Sequence, residues 1–120
     1  MRVLIVDDDH DFGDVLAEEV TELGHEVVVA RTGHEAIAAA SRQEVDVVLV
    51  DVVLPDINGV TLAGVLRGVV EHVALRVIGV SGVEHFTLDA ASERGIFDAR
   101  LAKPVTVAAL ERALSDPRVN

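Results

Sequence analysis

The sequence predicts an α/β domain built from five strand–helix units, (βα)5, with a parallel sheet covered on both faces. Three observations predict it. Short, β-branched apolar runs recur at regular spacing, segments with helical apolar spacing lie between them, and no repeat, linker or composition shift divides the 120 residues. That length is below the roughly 150 residues taken as one domain-equivalent. Near-continuous apolar runs suit strands buried on both faces. Alternation of strand and helix implies parallel pairing through right-handed crossovers, hence a three-layer α/β/α sandwich.

The elements follow in order. Strands are expected at Val3–Val6, Val27–Ala30, Val47–Val50 and Val77–Val80, with a less apolar fifth at Phe97–Ala102. Phe12, Val15, Leu16, Val20 and Leu23 follow the i, i+3, i+4 pattern of a first helix, and Gly24 stands where a helix C-terminus needs a left-handed residue. Thr32-Gly33-His34-Glu35 has the form of a capping box ahead of Ala36, Ile37 and Ala40. Leu62, Leu66 and Val69 mark a third helix, and Leu88, Ala91 and Ser92 a fourth. After Pro104, Thr106 can cap a fifth helix carrying Leu110 and Leu114, which Asp116-Pro117 stops. The expected division is a domain over 1–115 and a tail or linker start over 116–120.

Composition narrows the function. A net charge of −11 argues against nucleic acid or an anionic membrane surface as a direct partner. With no cysteine there is no disulfide framework and no thiolate site. The apolar run after Met1-Arg2 is too short for a signal peptide. The expectation is a cytoplasmic protein.

In an open parallel sheet, ligands bind beyond the carboxyl ends of the strands. The residues there are Asp7, Asp8 and Asp9 after the first strand, Arg31-Thr32-Gly33 after the second, Asp51 after the third, Ser81-Gly82 after the fourth and Lys103-Pro104 after the fifth. Clustered carboxylates repel, and a hard divalent cation relieves that conflict. Mg2+ takes oxygen ligands, commonly one or two carboxylates with waters and phosphate oxygens. Asp7, Asp8 and Asp51 fit that need. Asp9 reads better as a helix cap. Lys103 is the sole lysine among ten basic residues, a compact point charge suited to a carboxylate or phosphoryl oxygen. Ser81 lacks a G-x-S-x-G setting and a partnering histidine, so its hydroxyl reads as a donor to an oxyanion or as a turn residue. The histidines His10, His25, His34, His72 and His85 show no metal-ligand spacing. Only His10 lies near the acidic loop. No G-x-G-x-x-G and no P-loop sequence occurs.

Four elements together resemble the receiver domain of bacterial two-component response regulators. They are Val-Asp-Asp-Asp at 6–9, Asp-Val-Val-Leu-Pro-Asp-Ile-Asn-Gly at 51–59, Val-Ser-Gly at 80–82 and Leu-Ala-Lys-Pro at 101–104. None is specific alone; their order and their place at strand ends make the resemblance, which spans about Arg2 to Leu114. It implies a flavodoxin-like sheet of order 2-1-3-4-5. It implies Asp51 as phosphoacceptor, and Mg2+ held by Asp8, Asp51, the Val53 carbonyl and, through water, Asp7. It further implies Ser81 and Lys103 on the phosphoryl oxygens, and a cis bond between Lys103 and Pro104. The implied role is a phosphoacceptor switch, not an enzyme. Its phosphoryl group would come from a sensor histidine kinase or a His phosphotransfer protein. An output protein or domain would dock on the face of the fourth predicted helix, fifth strand and fifth predicted helix, on a monomer or weak dimer.

The chain departs from the family where an aromatic switch residue usually stands, because that position is Arg100. Val53 and Val83 are apolar where they would flank an attacking water, so slow self-dephosphorylation is expected. Two other readings are open at this stage. An aspartyl-phosphate phosphatase would need a second Asp two residues past Asp51, where Val53 stands. A phosphate-independent protein-interaction module, or pseudo-receiver, would keep the acids for structure alone.

Overall fold

The computed structural model describes residues 1–69, 75–82 and 97–115. Within them the chain runs β1 (Arg2–Val6), α1 (His10–Glu22), β2 (Glu26–Ala30), α2 (Gly33–Arg42), β3 (Val47–Asp51), α3 (Gly59–Val69), β4 (Arg76–Ser81), β5 (Ala99–Ala102) and α4 (Val107–Ser115). The last is the fifth helix expected from sequence. The expected fourth helix at Leu88, Ala91 and Ser92 lies outside the described residues, as do the Asp116-Pro117 stop and the 116–120 tail.

All five strands pair in parallel, in the order β2-β1-β3-β4-β5. Side chains alternate across a strand, so β1, β3 and β4 split their apolar residues between two cores. On one face Leu4, Val6, Val48, Val50 and Val77 pack with Ala36 and Ala40 of α2 and Leu62, Ala63 and Leu66 of α3. On the other, Val3, Ile5, Val47, Leu49, Ile78 and Val80 pack with Leu16 and Val20 of α1 and Leu110 and Leu114 of α4. The central strands β3 and β4 are buried along their whole length, which is why their sequences read as unbroken apolar runs.

The caps behave as their residue types require. Asp9 caps α1, accepting from the Phe12 N–H at 3.1 Å. Gly24 takes φ 97° just past that helix, the left-handed state open to glycine. Thr32 accepts from the Glu35 N–H, but the return bond differs from a capping box: Glu35 reaches past the cap to the Arg31 N–H, at 3.0 Å. Thr106 caps α4 through the Ala109 N–H.

Several expected strand boundaries shift. Asp51 and Ser81 are the last residues of β3 and β4 rather than the first of the loops. β5 begins at Ala99, two residues later than expected, because Asp98 turns its carboxylate to the Val77 N–H and Arg67. The Phe97 ring covers Gly79 of β4; a Cβ on Gly79 would lie 2.9 Å from it. Glycine therefore fits mid-strand because an aromatic ring occupies its side-chain space.

Candidate metal and phosphoryl site

The ends of β1, β3, β4 and β5 meet at one edge of the sheet, and backbone bonds extend the ladder to the residues just beyond them. Asp7 donates to the Ala30 carbonyl, Val52 to Val80 and Lys103 to Ser81, at 2.9–3.2 Å. The side chains of Asp7, Asp51 and Lys103 thus stand on fixed backbone. Asp7, Asp51 and Ser81 are buried.

Asp7, Asp8 and Asp51 can hold a metal ion. One carboxylate oxygen from each lies within 4.8 Å of the others. Asp7 and Asp51 form the buried floor, and Asp8 faces solvent. Oxygen donors alone, with negative charge in excess, suit a hard divalent cation. Lys103 supplies the compensating charge. Its Nζ lies 3.1 Å from Asp7 Oδ2 and 3.1 Å from Asp51 Oδ2. The other oxygens have backbone donors: the Asp9 N–H reaches Asp7 Oδ1 and the Val53 N–H reaches Asp51 Oδ1, each at 2.9 Å.

Burial raises the Asp7 pKa above its ordinary value. The Asp51 charge raises it further, against the Asp9 N–H and Lys103. Burial opposes the charge on Lys103, but its bonds to Asp7 and Asp51 outweigh that and raise its pKa. The ammonium is held protonated by the pair it bridges.

The other predicted positions fall as follows. Ser81 ends β4 opposite Ala102. The Lys103-Pro104 bond is cis. Val53 is half-exposed at the rim. Arg100 is exposed on β5. His10 opens α1 and is exposed. Val83, His72 and His85 lie outside the described residues.

Two features escaped the sequence. The first is Phe12, expected only as core: the Lys103 Nζ lies over its ring, 4.4 Å from the centroid. Its position in the first turn of a helix that follows an acidic strand end was the available signal. The second is Asp56. From the β3–α3 loop it accepts from the Gly33 and His34 N–H groups at 2.9 and 3.0 Å and pairs with His34 Nδ1. No local pattern marks a contact across 23 residues. It anchors the loop that carries Val53 to the N-terminus of α2.

The hydrogen bond from Gly33, with those from His34, lowers the Asp56 pKa to about 2 from 3.8. A depressed carboxylate stabilises the fold above its unfolded pKa, and that stabilisation is lost as pH falls through the folded value. Wild type is therefore expected to be more stable than Asp56→Asn at pH 5 and above. The gap should close between about pH 4 and pH 2. Urea unfolding of both proteins across that range checks it; a gap constant from pH 5 to pH 2 would contradict it.

Among the described residues no helix is long and apolar enough to cross a membrane. Residues 3–115 match the sequence pattern of the response regulator receiver domain. A response regulator receiver protein of Anaeromyxobacter sp. is 40% identical over 106 residues, 88% of this chain and 44% of that protein. The chain thus spans less than half of that relative's length. A CheY-like receiver domain from Methylobacillus flagellatus has 31% identity and a TM-score of 0.85, covering 95% of each chain. The response regulator TrrA of Thermotoga maritima, solved in complex with Mg2+-BeF, has 27% identity and a TM-score of 0.82 over 94% of this chain and 95% of that one. A pattern match across nearly the whole sequence, on a parallel sheet in the order 2-1-3-4-5, is sufficient: this chain belongs to the response regulator receiver domain family of two-component signalling.

Proposed function

We propose that this domain accepts a phosphoryl group on Asp51, with Mg2+ held by Asp8, Asp51, the Val53 carbonyl and, through water, Asp7. The observation that carries the proposal is the bridge made by the sole lysine. Lys103 binds Asp7 and Asp51 at once, within a cluster of three carboxylates. Such a pairing puts a nucleophilic oxygen, a cation-binding acidic floor and a phosphoryl-binding ammonium in one place.

The donor is a phosphohistidine on a sensor kinase or phosphotransfer protein. An Asp51 carboxylate oxygen forms the new O–P bond in line as the P–N bond breaks. The leaving imidazole keeps the electron pair and takes a proton from solvent. Charge in that transition state spreads over three equatorial oxygens. Lys103 and the Ser81 hydroxyl donate to those oxygens, and Mg2+, when bound, would neutralise part of the developing charge. Asp51 Oδ1 stays oriented by the Val53 N–H throughout. The acyl phosphate adds nearly two negative charges to a buried pocket, and the surface change passes to an output protein or domain. Val53 offers water no polar partner at the rim, which fits slow loss of the phosphoryl group.

Intact mass after incubation with Mg2+ and acetyl phosphate tests this. One phosphoryl group is expected on wild type and none on Asp51→Asn or in EDTA. A folded wild type that takes none would overturn the proposal in favour of a phosphate-independent interaction module.

A further inference from the structure

An ammonium carries three N–H donors. Two carboxylates engage Lys103, each at 3.1 Å, and its third near neighbour is the face of the Phe12 ring. That ring is placed from below. The Asp9 side chain caps α1 on the Phe12 N–H itself, and the Phe12 side chain packs on the core shared with α1 and α4. Phe12 is one of only three aromatic residues in the chain, so its meeting with the only lysine is not a consequence of abundance.

We propose that Phe12 is a positioning residue, whose ring seats the Lys103 ammonium over the Asp51 carboxylate so that it is aimed when a phosphoryl oxygen replaces a carboxylate partner. The inference rests on the role proposed above for Lys103. The physical need is clear from the side chain. Lysine carries its charge on a flexible four-carbon stem with strong hydration, and here 28% of the Lys103 side chain is exposed. Without a third contact, losing one carboxylate partner frees the head to swing into water. A π face attracts a cation through the ring quadrupole and accepts no hydrogen bond in a fixed direction. The ammonium can therefore pivot from Asp51 Oδ2 to a phosphoryl oxygen without leaving the ring. A leucine would fill similar space and offer no such attraction.

The single lysine makes the test direct. With 13C,1H-labelled lysine, one set of Cε–Hε signals reports Lys103. The ring should shift these protons upfield; Phe12→Leu and Phe12→Met should abolish that shift, and Phe12→Tyr should keep it. Phosphoryl addition from acetyl phosphate with Mg2+, followed by intact mass, should slow about two- to fivefold in Phe12→Leu and recover in Phe12→Tyr. In a Lys103→Met background, Phe12→Leu should produce no further slowing, because the contact is already gone. Equal slowing in both backgrounds would reduce Phe12 to general packing and overturn the inference. So would an unchanged rate in Phe12→Leu while wild type is phosphorylated. A folded wild type that takes no phosphoryl group would overturn the function proposed for Asp51 as well, so the two failures are distinguishable.

Discussion

Gly59→Ala is expected to destabilise the domain by about 2–4 kcal/mol and to slow phosphoryl acceptance about 100-fold. The reason lies in what a Cβ would meet there. Gly59 opens α3, is buried, and donates its N–H to the Val52 carbonyl at 2.9 Å. An added Cβ would lie 2.5 Å from the Asp51 carbonyl oxygen, 2.6 Å from Val52 Cα and 2.8 Å from the Val52 carbonyl oxygen. All three are backbone atoms, so no side chain can rotate away. Comfortable carbon contacts begin near 3.5 Å, so either α3 or the end of β3 must move by about 1 Å. The end of β3 is Asp51. The substitution therefore strikes stability and the position of Asp51 together. Gly64→Ala is the control: nothing lies within 4 Å of its Cβ, and alanine in a helix is favoured over glycine by about 0.5–1 kcal/mol. Urea unfolding and the mass time course separate the two variants. A Gly59→Ala protein as stable and as reactive as Gly64→Ala would contradict the account.

Lys103→Met is expected to have the second large effect, on stability in the absence of Mg2+ and on phosphoryl acceptance in its presence. Asp7 and Asp51 are buried, with side chains only 3% and 9% exposed. Without the ammonium they face one another uncompensated. Removing one partner of a buried ion pair costs about 3–5 kcal/mol. Lys103 is partly in water, so screening brings the expected loss in EDTA down to about 2 kcal/mol. Mg2+ should restore most of it, because the same oxygens then have a cation with no ammonium competing for them. The thermal shift produced by Mg2+ should accordingly be larger in Lys103→Met than in wild type. Phosphoryl acceptance should still fall about 100-fold, since the contact proposed between the ammonium and the transferring oxygens is gone. A Mg2+-induced shift smaller than that of wild type would show that Lys103 does not occupy the cation's electrostatic place.

Fold and site were legible to different depths. The runs Val3–Val6, Val47–Val50 and Val77–Val80 announced central strands, because residues that must be apolar on both faces leave an unbroken pattern. Asp9, Gly24, Thr32 and Thr106 announced helix ends, because a cap is satisfied within a few residues of itself. The positions of Asp7, Asp8, Asp51, Ser81 and Lys103 at one edge followed from the parallel reading of the strands alone.

What escaped the sequence depends on separation along the chain. The β5 start moved because Asp98 binds Val77 and Arg67, not its neighbours. Arg76, one residue before the expected start of β4, is buried and donates to the Ala113 and Leu114 carbonyls at the end of α4. Asp56 is the anchor of the β3–α3 loop on the N-terminus of α2, a contact made only by the fold.

The amino-acid sequence by itself determined the strand–helix alternation, the two-sided core and the set of charged groups brought to the sheet edge, because hydrophobic period and capping chemistry act locally. Only the tertiary structure decided which carboxylates Lys103 bridges, that Phe12 lies beneath its ammonium, and that Gly59 alone fits against the Asp51 backbone. Those relations depend on distances between segments that meet only after the sheet has closed its order, and no local pattern encodes them.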